Sequence, residues 1–227
     1  MDTFINDFKK TSYYDQIVSD KQILGIFLVG SRCLGTATAN SDYDLQILTM
    51  ADKYIDVAEE KFLCYKGKKV HWHYFPIKDL FNFYYNDVRL LCPIQLQHFL
   101  SDFIIYQNEL HKDIFDKLVS IKETISKLAT YKLYDVHKAR INTILKQQDI
   151  RSLDYSKILY HLCISTYYLI GKTPDIPFLC DIKNRFDKSL SDKIVRCLET
   201  GVNYITAFPI DYKKELNNLY ETLFRQK

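Results

Sequence analysis

Apolar residues in the first half of the chain come in short runs separated by polar breaks. Gln22–Val29 is such a run, as is Asp44–Thr49 beyond its opening aspartate, and each reads as a buried strand. Phe62–Tyr65 and Lys69–Phe75 flank Lys66-Gly67 and read as a hairpin. In its second arm the period of two puts His71 and His73 on one face, with Trp72 and Tyr74 on the other. Residues 2–19 read as an irregular amphipathic helix whose buried side holds Phe4, Ile5, Phe8, Tyr13 and Ile17. Asp52–Glu60, Ile77–Tyr85 and a segment opening at Pro93 read as further helices, and Phe103–Tyr106 as a short extended piece.

From about Asn108 the pattern turns helical: Leu110–Ala129, Leu133–Lys146, Tyr155–Ile170, Lys188–Thr200 and Tyr212–Phe224. Asp135 and Ser152 are expected as N-caps, Gly171 and Gly201 as the residues that close helices. The expectation is therefore an α/β domain over 1–107, a small mixed sheet with flanking helices, followed by a C-terminal helical domain over 108–227.

Composition changes this picture little. With 47% hydrophobic and 26% charged residues, the 227-residue chain is built for a packed core rather than disorder. A net charge of +3 is too mild to mark a nucleic-acid binder by itself. The six cysteines contain no Cys-x-x-Cys pair, which argues against a zinc knuckle and for reduced thiols. No apolar run is long enough to span a bilayer, and the N-terminus lacks the pattern of a secretion signal. The expected setting is cytoplasmic, without a membrane.

The chemistry gathers between the first two strands. Gly30 ends the first and lets a ligand approach the backbone; Ser31 adds a hydroxyl and an N–H at a helix start, where N–H groups favour phosphate. Asp42 and Asp44 stand one residue apart, so their side chains converge on one face of the second strand while Tyr43 points away. Crowded carboxylates favour a cation between them, and hard divalent ions bridge such oxygens to phosphates. A phosphate cradle beside a metal clamp is equipment for phosphoryl or nucleotidyl transfer.

Gly30-Ser31, Gly35 and Ser41-Asp42-Tyr43-Asp44-Leu45 resemble the GS…G…SDxDL signature of the DNA polymerase β-like nucleotidyltransferase superfamily. The resemblance covers roughly residues 22–76 and implies roles for these residues. Asp42 and Asp44 would hold Mg²⁺ or Mn²⁺, while Gly30, Ser31 and Arg32 would bind a nucleoside triphosphate. The superfamily's third carboxylate belongs on a neighbouring strand. Here that strand, Val70–Phe75, contains no acid, and His71 takes its place. Imidazole can accept a proton or ligate a metal.

A weaker likeness reaches to about residue 177. Asp79–Tyr106 is similar to the corresponding segment of the YcgL-like predicted nucleotidyltransferases, a group with an RNA-repair-associated branch. Cys92-Pro93 stands at its turn, while Gln95 and Gln97 replace the glutamate usual in its next helix. Lys157-x-x-x-His161 and Gly171-x-x-Pro174 resemble its later helix and exit, which implies that Lys157 and His161 contact nucleotide or acceptor. The expected activity is transfer of a nucleoside monophosphate from an NTP to an acceptor hydroxyl or phosphate by divalent-metal catalysis, with RNA favoured by the likeness. A small molecule such as an antibiotic, or a protein side chain, is an alternative acceptor. The competing expectation is a nucleotide- or RNA-binding module that has lost catalysis with its third acid.

Overall fold

The computed structural model describes residues 3–50, 61–77, 103–125, 127–128, 130–131, 134, 146, 153–184 and 188–224. Several expected features lie outside them: the helices over Asp52–Glu60 and after Pro93, nearly all of Ile77–Tyr85 and Leu133–Lys146, and the caps at Asp135 and Ser152.

Five strands form one mixed sheet: β1 (Ile23–Val29), β2 (Tyr43–Thr49), β3 (Lys61–Tyr65), β4 (Lys68–Pro76) and β5 (Ile104–Gln107), in the order β3-β4-β2-β1-β5. β2 and β4 run parallel, and the other neighbours are antiparallel. All seven residues of β1 are buried, which explains its unbroken apolar run: both faces of this strand are covered. On one face Ile26, Leu28, Tyr43, Leu45, Ile47 and Val70 pack with Ile5, Phe8 and Ile17. Those three come from two short helices, α1 (Thr3–Phe8) and α2 (Ser12–Val18), rather than from one irregular helix. The break is local chemistry. The Thr11 hydroxyl donates to Phe8 O at 2.7 Å and accepts from Tyr14 N at 3.3 Å, closing one helix and capping the next.

On the other face Phe27 stacks on Phe115 of the helix Lys112–Ser120, with ring centroids 5.7 Å apart. Gly25 makes room for this contact, since a Cβ there would lie 2.8 Å from the Phe115 ring. The helix starts later than the pattern predicts because Asn108 first sets a 3₁₀ turn. Its Oδ1 accepts from Leu110 N at 3.0 Å while its Nδ2 donates to Ile23 O at 2.8 Å. In the β3–β4 hairpin Lys66 and Gly67 have φ of 48° and 72°, the two positive angles of a type I′ turn.

The described residues divide into two compact units. One takes those within Met1–Tyr84, His98–Lys122 and Tyr220–Lys227, the other those within Tyr85–Gln97 and Glu123–Leu219. The second unit includes the helices Leu153–Leu169, Ile176–Asn184 and Lys188–Ala207. Gly171, with φ of 66°, closes the first of these as expected. The Ile176–Asn184 helix lies in a stretch to which the pattern assigns no helix; Asp175 caps it, its Oδ1 accepting from Phe178 N at 3.0 Å. Gly201 does not end a helix. The Lys188–Ala207 helix runs through it, and the reason for glycine is a close approach: a Cβ there would collide with the Tyr134 ring and lie 2.9 Å from Thr166 Oγ1. Among the described residues no helix is long and apolar enough to cross a membrane.

Candidate active site

The site grows from the ends of two adjacent strands. β1 stops at Val29, and Gly30 turns the chain with φ of 70°, a conformation side chains disfavour. Gly30–Cys33 forms a single helical turn, and Gly35, at φ of 73°, turns the chain again. Gly30 has a second reason to be glycine. A Cβ at this position would run into Asp44 Oδ2 and stand 3.2 Å from Asp44 Cγ. The carboxylate of Asp44 therefore lies directly over the Gly30 backbone, as the pairing of Val29 with Asp44 in the β1–β2 register requires.

The same row continues across the sheet. Asp44 pairs with His71 in the parallel β2–β4 ladder, and His71 pairs with Phe62 in the hairpin. Cross-strand partners share a face, so Asp44, His71 and Phe62 line up on the side opposite the α1–α2 core. Asp42, just before β2, reaches the same place: its Oδ2 stands 3.7 Å from His71 Nε2. That exceeds hydrogen-bond length, and His71 Nε2 is buried without a hydrogen-bond partner among the described residues. His73 follows on the same face, opposite Gln46.

Arg32 has a defined task. Its Nη2 donates to Ser41 O at 2.5 Å and its Nε to Asp42 O at 3.1 Å, so the guanidinium holds the backbone that carries Asp42. It also lies 3.7 Å from the centroid of Tyr43, whose ring stacks on Phe4 at 4.0 Å. Two groups that close cannot share one ring face, so buried Tyr43 is held between them. Ser41 Oγ accepts from Thr38 N at 2.8 Å, and Lys68 Nζ donates to Ala39 O, which ties down the rest of the loop.

The first unit thus brings together Gly30, Ser31, Arg32, Asp42, Asp44 and His71. Lys157 and His161 belong to the second unit, one turn apart on the Leu153–Leu169 helix. The Lys157 side chain lies outside the described residues, and the partly buried His161 ring meets Tyr160 edge-on at 5.0 Å. Two residues beside His71, Phe62 and Lys69, carry no motif and escape sequence reasoning. Phe62 stacks on the imidazole at 5.9 Å, and Lys69 Nζ stands 4.5 Å from the Phe62 centroid. A signal does exist: a two-residue turn at Lys66-Gly67 fixes the register that sets Phe62 against His71.

Among the described residues no three His, Cys, Asp or Glu side chains form a closed metal cage. The donor set nonetheless suits a hard cation. Mg²⁺ is typically held by one or two carboxylates, with water and substrate phosphate completing its shell. Asp42 and Asp44 fit that pattern, and the His71 nitrogen left unpaired beside Asp42 among the described residues fits a site whose last partner arrives with substrate.

Residues 13–91 match the family model of the nucleotidyltransferase domain, and this match spans the signature and the sheet residues just described. It supports a transferase of the nucleotidyl class, and the mixed sheet with flanking and C-terminal helices is consistent with that fold. No curated protein matches the chain. Among solved structures, a nucleotidyltransferase-like protein from Exiguobacterium sibiricum 255-15 is similar at 13% identity and a TM-score of 0.36. The alignment covers 98% of this chain and 80% of that one.

Proposed function

We propose that this protein transfers a nucleoside monophosphate from a nucleoside triphosphate to an acceptor hydroxyl, with an RNA end as the favoured acceptor. The observation that carries this reading is the meeting of Asp42, Asp44 and His71 on one sheet face beside a Gly30 backbone that tolerates no side chain. Gly30 and Ser31 admit the phosphates, and Arg32 fixes the loop backbone that aims Asp42. Asp42 and Asp44 would hold Mg²⁺ or Mn²⁺, which neutralises charge on the phosphates when bound. His71 Nε2 takes the proton of the attacking hydroxyl. The new oxygen–phosphorus bond forms as the bond to pyrophosphate breaks, and pyrophosphate leaves with that electron pair. Support for RNA comes from the YcgL-like resemblance, which also assigns Lys157 and His161 to nucleotide or acceptor.

One observation favours a second reading. β4 carries no carboxylate, so the chain could bind nucleotide without transferring it. Incubation with each labelled NTP, Mg²⁺ or Mn²⁺ and an RNA pool, for wild type and Asp44→Asn, separates the two. Label on RNA that is lost in the variant supports transfer. Metal-dependent nucleotide binding with no label moved selects the binding module, and neither behaviour rejects both.

A further inference from the structure

Phe62 is 54% exposed, although it sits in a strand and against the candidate site. Its ring stacks on His71, and Lys69 Nζ lies over the ring 4.5 Å from its centroid; the lysine's flexible four-carbon stem lets its ammonium swing off the ring as a base arrives. An exposed aromatic with a cation beside it is the pair of groups that recognises a nucleobase and its phosphate. The neighbouring lysines have other work: Lys66 pairs with Asp7 at 2.5 Å and Lys68 with the Ala39 carbonyl. Lys69 is thus the described cation placed at the ring.

The position on the sheet decides which base would sit there. Gly30 lies at the β1 end of the row, Asp44 on the next strand, then His71, then Phe62 on β3. Strands are about 4.8 Å apart, so the Phe62 backbone is about 10 Å from that of Asp44, away from Gly30. In-line displacement needs the attacking and leaving oxygens on opposite sides of phosphorus. With the triphosphate at Gly30, the nucleophile must come from the His71 side. We propose that Phe62 and Lys69 form an acceptor shelf: the terminal base of a single-stranded RNA stacks on Phe62, and a backbone phosphate pairs with Lys69. This presents the terminal hydroxyl to His71. The inference rests on the reading above for its orientation, but binding at the shelf requires no chemistry.

The test is therefore a binding measurement without nucleoside triphosphate. The probe is a short single-stranded RNA with 2-aminopurine as its 3′-terminal base, whose fluorescence is quenched by stacking. Wild type should quench it. Phe62→Ala should abolish the quenching and weaken binding about tenfold, whereas Phe62→Tyr should retain both. Lys69→Gln should weaken binding and flatten its salt dependence. Asp44→Asn should quench as wild type does, even though it transfers nothing. Quenching that survives Phe62→Ala, or none in wild type, overturns the shelf whatever the transfer assay gives. Quenching of a free 2-aminopurine nucleoside triphosphate, lost in Phe62→Ala, with no effect on the RNA, also overturns it by giving the ring to the donor. Quenching of the RNA without transfer keeps the shelf and rejects catalysis.

Discussion

Asp42 Oδ2 and His71 Nε2 stand 3.7 Å apart, although 29 positions separate them in sequence. The contact exists because parallel pairing sets His71 beside Asp44 and the loop backbone held by Arg32 brings Asp42 to the same face. A histidine where the superfamily signature leads one to expect an acid makes a sharp prediction. His71→Ala should lower transfer by about 10²- to 10⁴-fold, the range for loss of a general base. His71→Asp should restore part of it and shift the preference from Mn²⁺ towards Mg²⁺, because oxygen replaces nitrogen. Initial rates with both ions check this. Equal rates in all three proteins would remove His71 from the site.

Gly30 gives a prediction about geometry. Its φ of 70° and its contact with the Asp44 carboxylate mean that even Gly30→Ala must strain the backbone and move Asp44. The backbone term alone costs about 1–2 kcal/mol. The variant should melt earlier and lose ATP binding in the presence of Mg²⁺. Asp44→Gly in the same chain relieves the collision but not the angle, so it should recover part of the stability and none of the binding. Thermal melts and calorimetric titration read the two effects separately.

The resemblance assigns Arg32 to phosphate, yet its guanidinium is engaged by Ser41 O, Asp42 O and the Tyr43 ring. Arg32→Lys keeps the charge but loses the planar fork and the stacking surface. It should destabilise the protein by about 1–3 kcal/mol in urea unfolding, in line with charge-assisted hydrogen bonds. If phosphate binding were the whole of its role, Arg32→Lys would leave stability unchanged.

The strands and the two aspartates are legible because period two and a turn residue leave direct marks in sequence. Lys66-Gly67 marks a register, and a Gly-Ser step beside Asp-x-Asp marks the candidate site. What escapes depends on partners distant in sequence. The role of Arg32 is set by carbonyls nine and ten residues on. The Thr11 break in the first helix turns on one hydroxyl serving both sides. Gly201 follows the same rule: its spacing reads as a helix end, and only Tyr134, from elsewhere in the chain, gives the true reason.

The cysteines should react in an order set by environment. Cys64 is exposed on β3. Cys163 is buried, and its thiol is pushed well above the ordinary range by the neighbouring Cys197 thiol and by desolvation. The same pairing holds Cys197 below that range. Thiolate is the reactive form, so a raised value means less of it at a given pH. At about pH 8, near the ordinary thiol value, iodoacetamide should modify Cys64 readily and leave Cys163 untouched until the protein is unfolded. Mass mapping of a native time course checks this; early labelling of Cys163 would contradict the packing of the Leu153–Leu169 helix.

Gly201→Ala separates a cap from a contact. Were Gly201 closing a helix, alanine would lose only the terminal turn. In a helix interior with open space, alanine would stabilise by about 1 kcal/mol. The structure dictates neither. The added methyl meets the Tyr134 hydroxyl and stands 2.6 Å from its Cζ, beside Thr166 Oγ1. Tyr134 donates or accepts a buried hydrogen bond with Thr166, and its phenol is held well above the usual range by burial, so the hydroxyl stays neutral and cannot leave for water as an anion. Overpacking of this kind costs about 1–3 kcal/mol, which outweighs the helix preference for alanine. Tyr134→Phe removes the hydroxyl but leaves Cζ in place, so in the double variant the penalty should shrink without vanishing. Tyr134→Leu, which clears the ring atoms from that space, should make Gly201→Ala close to neutral. Urea unfolding of the single and double variants gives the coupling. Equal destabilisation by Gly201→Ala in the wild-type and Tyr134→Leu backgrounds would show that the glycine answers to something other than this ring.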